Sequence, residues 1–349
     1  MAANPLSADL DHVLDHTRPL WEEMRGGRLF ITGGTGFIGC WLLESFACAN
    51  ERLALGAEAL VLTRNPAVFA RKAPHLASRA DIRFHAGDVR DFEFPAGPFS
   101  HVIHAATEAS AQLNDQQPAV MLETIVAGTR RALDFSARCG AKCFLLTSSG
   151  AVYGPQPPAV SHLAEDYPGG PDVSNPQSAY GEGKRMSELL CAIQARQQGL
   201  EVKIARCFAF AGPYLPLDIH YAIGNFIRDA MAGGPIKVNG DGTPYRSYLY
   251  AADLAIWLWT ILFRGSSNRP YNVGSRRPVT IAETAAAVSR TLPGNLPVEI
   301  AQRPVPGRSA ARYVPDTARA ERELGLREWV PLDEAIRRTA QWNGREDKI

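Results

Sequence analysis

The sequence lacks an excess of either charge. Lysine and arginine number 37 against 36 aspartates and glutamates in 349 residues, for a formal net charge of +1. A protein that lives on nucleic acid carries a basic surplus, so no nucleic-acid partner is expected. Disorder needs few apolar residues and a high net charge, whereas 46% of this chain is hydrophobic. Cysteine is scarce, and Cys40, Cys48, Cys139, Cys143, Cys191 and Cys207 form no CxxC pair. That spacing argues against a zinc site, so no metal is expected, and it suits reduced, mostly buried thiols in a cytoplasmic protein. Long apolar runs are missing too. The most apolar stretch, Leu249–Phe263, contains Asp253 and falls short of the roughly 20 residues that span a bilayer. Asp9, Asp11 and Asp15 stand where a signal peptide would have its apolar centre. A buried helix at 249–263 and no membrane association are therefore expected.

What is present is an alternation. RLFIT (Arg28–Thr32), ALVLT (Ala59–Thr63), IRFHAGD (Ile82–Asp88), HVIHAA (His101–Ala106), CFLLTSS (Cys143–Ser149) and VKIARC (Val202–Cys207) read as strands. Helical patterns start at Phe37 and cover about 120–139 and 178–197. The strands are continuous apolar runs, the pattern of strands buried on both faces of a parallel sheet. Strand–helix alternation predicts an α/β, doubly wound parallel (Rossmann) domain over residues 28–207. Residues 1–27, with Leu10, Val13, Leu14 and Leu20 among charges, read as an N-terminal helical extension. After Cys207 the alternation is lost, and residues 208–349 read mainly as a smaller α+β substrate lobe. Part of 243–270 is expected to pack back on the first domain.

TGGTGFIG sets Gly33, Gly36 and Gly39 at GxxGxxG spacing, after a strand and at the start of a helix, with Phe37 and Ile38 in its first turn. Glycine lets the backbone approach a pyrophosphate, and the helix N-terminus offers free N–H donors. A tight turn also uses glycine, but the strand-before, helix-after setting is that of a dinucleotide site. The second strand ends in Thr63-Arg64-Asn65, with no carboxylate to bind a ribose 2′-hydroxyl. Arg64 can instead fork onto a 2′-phosphate, which favours NADP(H) and leaves NAD(H) possible; the bland alternative is a solvated surface arginine. Asp88, followed by Val89, is placed for the adenine edge, unless it is simply a surface-turn aspartate.

Tyr180-Gly-Glu-Gly-Lys184 puts a tyrosine and a lysine on one helical face, and Ser149 ends the fifth strand. A free phenol has a pKa of about 10, and a lysine ammonium beside a nicotinamide cation is expected to lower it. Such a tyrosine can exchange a carbinol proton while a hydride moves to or from nicotinamide.

With these residues the chain resembles the extended short-chain dehydrogenase/reductase family, in its nucleotide-sugar epimerase, dehydratase and reductase members. The resemblance runs from about Arg28 to Trp329 through TGGTGFIG, GDVRD, HAAT, LLTSSGAVYG, NPQSAYGEGK, ARCFAFAGP, NGDGTPYRSYLY and RYVPDTARAERELGL. It implies Ser149, Tyr180 and Lys184 as the catalytic triad, with Lys184 also on the nicotinamide ribose. It implies Thr147 and Ser148 beside the nicotinamide, and Ala105 and Ala106 along the cofactor groove. On the substrate side it implies Asn225, Arg246 and Arg312 holding the diphosphate of a nucleotide sugar, a group that suits guanidinium forks. It further implies a homodimer built on the helices around 120–139 and 178–197.

The sequence also departs from the family. The acidic pair that performs elimination in the 4,6-dehydratases is here Gly150 and Ala151, and the decarboxylases usually keep a glutamate at the second of these positions. An asparagine common after RCF is Ala209, and one common before the GT of the middle helix is Ile125. What remains is hydride and proton transfer at C4 of the sugar, as a 4-ketoreductase, towards which Arg64 tilts the reading, or a 4-epimerase. A reductase of a non-nucleotide ketone and a non-catalytic dinucleotide sensor are the competing expectations.

Overall fold

Runs of four to seven residues assemble here into one seven-stranded sheet. The computed structural model describes residues 4–107, 111–219 and 221–344. The strands are β1 (Arg28–Thr32), β2 (Glu58–Thr63), β3 (Ile82–Ala86), β4 (His101–His104), β5 (Cys143–Ser149), β6 (Glu201–Cys207) and β7 (Pro270–Val273). Their order is β7-β6-β5-β4-β1-β2-β3, and every neighbouring pair is parallel. The first six match the expected strands, with two corrections at their ends. β3 stops at Ala86 and β4 at His104, because Gly87–Asp88 and Ala105–Thr107 leave the ladder to line a groove. The seventh strand comes from the C-terminal half, so the segment that returns to the sheet runs past residue 270 to Val273.

Strand alternation divides the core in two. Leu29, Ile31, Cys143 and Leu145 point into one cluster, and Phe30, Phe144 and Leu146 into the other. The first cluster lies under helices α2 (Phe37–Arg52) and α5 (Ala251–Arg264), with α1 (Ser7–Thr17) outside them. The second includes residues of α3 (Pro118–Arg138) and α4 (Ala179–Gln198), which pack on each other. All of Ala251–Phe263 is buried, and no described helix is long and apolar enough to cross a membrane. All six cysteines are free.

The N-terminal segment is a clamp on α5. Trp21 packs on Trp259 with ring centroids 4.5 Å apart. The Tyr250 hydroxyl donates to Asp9 at 2.7 Å, and Asp9 also pairs with Arg338 near the C-terminus. Buried Asp253 faces His12 at 3.1 Å and accepts the backbone N–H groups of Trp329 and Val330 at 2.9 and 3.0 Å. The remaining C-terminal elements are short helices, including Ala222–Met231, Ile281–Thr291 and Leu332–Asn343, and two-stranded ladders.

Candidate active site

Strand order reverses between β1 and β4, where β1 continues to β2 on one side and β4 to β5 on the other. Ligands of doubly wound sheets bind in the crevice this creates beyond the carboxyl ends of the strands. Two cavities of about 590 and 490 Å³ meet here, sharing Gly33, Gly36, Ala105 and Thr107 in their walls.

The three loop glycines have three different reasons. Gly33 has φ +74°, and a Cβ there would lie 2.5 Å from the backbone of Ala105 and Ala106. A Cβ on Gly39 would meet the Gly33 carbonyl oxygen at 2.3 Å, so this glycine lets α2 close on the loop. At Gly36 the nearest atom is 3.4 Å away, so that face is free of protein and open to the groove. Gly36 also caps α2 without any side-chain hydrogen bond, which leaves first-turn N–H groups for a ligand. The cradle fits a dinucleotide pyrophosphate. Phe37, Ile38 and Gly39 line the larger cavity beside it.

At the adenosine end, Arg64, Asp88, Val89 and Ala106 line the smaller cavity. Asp88 is held in a turn: its carboxylate accepts from the Arg90 guanidinium at 2.8 and 3.2 Å and from the Arg90 backbone N–H at 3.0 Å. Those bonds hold its carboxyl below the usual range. Lys72 also lines this cavity, and its ammonium donates to the Thr35 carbonyl of the glycine loop at 2.9 Å.

At the other end, Thr147, Ser149, Tyr180 and Lys184 converge on the larger cavity. β5 delivers Ser149 at its carboxyl end, and the first turns of α4 deliver Tyr180 and Lys184. The buried Lys184 ammonium donates to Thr107 Oγ1 and to the Thr147 carbonyl, both at 2.7 Å. Burial lowers its pKa from 10.5 to about 8. Burial pushes the Tyr180 phenol up to about 12, while a hydrogen bond to Ser149 pulls the other way. The expectation of a lowered tyrosine is thus reversed in the chain alone, because desolvation outweighs the Ser149 hydrogen bond. Ser148 also lines this cavity, and its hydroxyl donates to Glu188 at 2.5 Å; Glu188 pairs with the mostly buried Arg206.

The departures have structural counterparts. A Cβ on Gly150 would stand 2.7 Å from the Phe208 ring and 2.7 Å from the Tyr313 hydroxyl, so aromatic groups occupy the space of a side chain there. Ile125 is buried against Gly183 of α4, which leaves no polar group at that point beside Lys184. Ala209 lines the larger cavity and offers it only a methyl group.

Asn225 and Arg246 line a third cavity, of about 630 Å³, in the C-terminal half. Arg312 contributes to none of these three cavities; its guanidinium lies 4.1 Å over the Tyr245 ring. The structure adds residues that the sequence reading did not assign. Thr107 closes HAAT, and Tyr313 sits inside RYVPD, so both lay within motifs already noted. Asn114, which accepts the Tyr180 backbone N–H at 3.0 Å and donates to the Gln177 carbonyl at 2.8 Å, had no sequence signal.

The family model described as NAD dependent epimerase/dehydratase matches residues 29–274. UDP-glucuronic acid decarboxylase 6 of Arabidopsis thaliana is 31% identical over 313 residues, covering 88% of this chain and 88% of that protein. UDP-glucuronic acid decarboxylase 1 of Danio rerio is 29% identical over 319 residues, covering 91% of this chain and 73% of that protein. Among solved structures, a dTDP-glucose 4,6-dehydratase from Streptomyces venezuelae with NAD and TYD bound is similar with a TM-score of 0.75 at 26% identity, over 90% of this chain and 98% of that one. A UDP-glucuronic acid 4-epimerase from Bacillus cereus, in complex with UDP-glucuronic acid and NAD, shares the fold with a TM-score of 0.75 at 19% identity, over 90% and 98% of the two chains.

Proposed function

The chain belongs to the NAD dependent epimerase/dehydratase family, of the extended short-chain dehydrogenase/reductase type, and from that premise we propose that it is a nucleotide-sugar oxidoreductase acting at C4, a 4-ketoreductase rather than a 4-epimerase. The observation that carries this reading is the convergence of Ser149, Tyr180 and Lys184 beside the glycine loop, with Gly150 and Ala151 following Ser149. Neither residue can move a proton, so elimination and decarboxylation lack the acidic side chain that the family resemblance puts at these positions. The activity in the names of the decarboxylase relatives is therefore not the one proposed for this chain.

A bound nicotinamide dinucleotide supplies the hydride. Gly33, Gly36 and Gly39 would shape the cradle for its pyrophosphate, Lys184 and Thr107 would hold its nicotinamide ribose, and Asp88 and Val89 would hold its adenine. Arg64 and Lys72 line the adenosine end and favour a 2′-phosphate, hence NADP(H). In the reductase direction the oxygen at C4 gains negative charge and needs a proton. Tyr180, pushed up to about 12 by burial, is protonated near neutrality and suits the role of donor. Ser149 hydrogen-bonds the same oxygen and polarises it. On the substrate side, Asn225 and Arg246 would hold the diphosphate at the third cavity, with Arg312, stacked on Tyr245 next to Arg246, as a further cation for it. Exposed Val120 and Leu122 on α3, with Met186, Leu189 and Ile193 on α4, support a homodimer through these helices. The free thiols suit a cytoplasmic setting.

The test is incubation with NADPH and a panel of nucleotide-diphosphate 4-keto-6-deoxy sugars, followed at the nicotinamide absorbance. Turnover of at least one member is expected. Tightly held NAD in the purified protein, with epimerisation and no net oxidation, would establish the 4-epimerase in its place. Silence across the panel would sink both.

A further inference from the structure

The helix that carries Tyr180 and Lys184, α4, starts without a cap of its own. The first N–H groups of an α-helix have no partner inside it, and an N-cap side chain commonly accepts one of them. Ser178 stands at the N-cap of α4, yet its side chain makes no capping hydrogen bond. Tyr180 is the second residue of the helix, so its N–H is one of these orphans. The acceptor comes from another element. Asn114, on the short helix Ala111–Gln116, accepts the Tyr180 N–H through Oδ1 at 3.0 Å. Its Nδ2 donates to the Gln177 carbonyl at 2.8 Å, and only one orientation of the amide serves both partners. Next to it, the Asp115 carboxylate accepts from the Gln177 side-chain amide at 3.0 Å. The same short helix puts Gln112 into the wall of the larger cavity, so the cap and the reacting end share one element.

We propose that Asn114 is a positioning residue for Tyr180: it caps α4 from outside the helix and so fixes where the phenol stands in the reacting cavity. This rests on the reading of Tyr180 as the proton donor. Helix ends fray, and Tyr180 lies in the first turn. Its hydroxyl is the far end of a long rigid side chain, so a small tilt of that turn is magnified at the O–H. A misplacement of about 1 Å at the reacting atoms can cost about a hundredfold in rate. Lys184 needs no such help, because its ammonium is pinned by Thr107 Oγ1 and the Thr147 carbonyl. The lysine is thus placed by its charged head and the tyrosine by its backbone.

The experiment measures single-turnover rates of the full chain with NADPH and a nucleotide-diphosphate 4-keto-6-deoxyhexose, for Asn114→Ala, Asn114→Asp, Tyr180→Phe and the double variant Asn114→Ala with Tyr180→Phe. Amide hydrogen exchange around residues 178–184 is followed beside it. Asn114→Ala is expected to lower the rate about tenfold and to speed exchange at Tyr180, with NADPH affinity within about twofold and the melting temperature nearly unchanged. Aspartate keeps an acceptor for the Tyr180 N–H, so Asn114→Asp should stay within about twofold of wild type. In the Tyr180→Phe background Asn114→Ala should cost less than about twofold, because no phenol proton is left to place. An unchanged rate or unchanged exchange in Asn114→Ala overturns the proposal. An equal loss in both backgrounds does so too, since it marks a merely structural effect. Asn114→Asp as slow as Asn114→Ala also does so, since the acceptor is then not what counts. A wild-type rate in Tyr180→Phe would instead bring down the reading of Tyr180 as proton donor, and the proposal with it.

Discussion

The two ends of the groove meet water differently. At the adenosine end Arg64, Lys72 and Arg90 are exposed, and Asp88 is partly so. At the reacting end Thr147, Ser149 and Lys184 are buried, and half-buried Tyr180 and Tyr313 stand beside them. Exposed charges are screened and act over modest energies. Buried hydroxyls around one lysine act where the dielectric is low and each proton has a fixed address. The first end can choose a ligand; the second can do chemistry.

The sharpest way to break that contrast is Tyr180→Phe. Loss of the proton donor should lower kcat about a thousandfold, while NADPH affinity by fluorescence titration stays within about twofold. Comparable losses of affinity and turnover would mean that Tyr180 binds rather than reacts. Gly36→Ala probes the joint between the ends. Its backbone, at φ −79°, suits alanine, and a Cβ meets nothing closer than 3.4 Å. The chain should fold with its melting temperature unchanged, yet bind NADPH and NADH about ten- to a hundredfold more weakly, because the methyl group takes the place of pyrophosphate oxygens. Arg64→Ala should act at the adenosine end alone: about a tenfold loss for NADPH, almost none for NADH, and no change in kcat at saturation. Equal losses for both cofactors would remove Arg64 from the 2′-phosphate.

The two ends also differ in how far they can be read from sequence. The glycine loop, Arg64 and Asp88 lie beside strand ends and the Tyr180–Lys184 pair in the first turns of one helix, each in a short contiguous stretch, so local spacing suffices. The sheet was legible for the same reason, up to β6. β7 was not, because Pro270–Val273 follows a long excursion and four residues carry little pattern. The inside of the reacting end is assembled from 107, 114, 149, 180, 208 and 313, whose encounter depends on tertiary packing. Gly150 shows the limit well. Sequence marks it as a missing acid; only the structure shows that Phe208 and Tyr313 already fill its place. The direction of the Tyr180 shift was unreadable likewise, since the Tyr180-to-Lys184 spacing says nothing of desolvation.

The smallest expected effect, a pH profile, sharpens the contrast most cleanly. kcat/KM reports groups in the free enzyme, which is the state for which the pKa values above hold. Lys184, lowered by burial to about 8, is nine-tenths ammonium at about pH 7 and half ammonium at about pH 8. Its charge is therefore present below its pKa and lost as pH rises through it. If the ammonium is needed to hold the ribose, kcat/KM for NADPH should fall about twofold from pH 7 to pH 8 and steepen above. Tyr180 and Cys207, both at about 12, lie above this window, and His104, at about 3, lies below it. The Asp88 carboxyl at the adenosine end is held below its ordinary value and is silent here too. An inflection near pH 8 would thus belong to the lysine and not to the tyrosine that it accompanies. Lys184→Arg, which keeps its charge throughout, should give a lower but flat profile over the same range. A profile that bends identically in that variant would show that the titrating group lies elsewhere, and that the buried end owes its pH response to something other than Lys184.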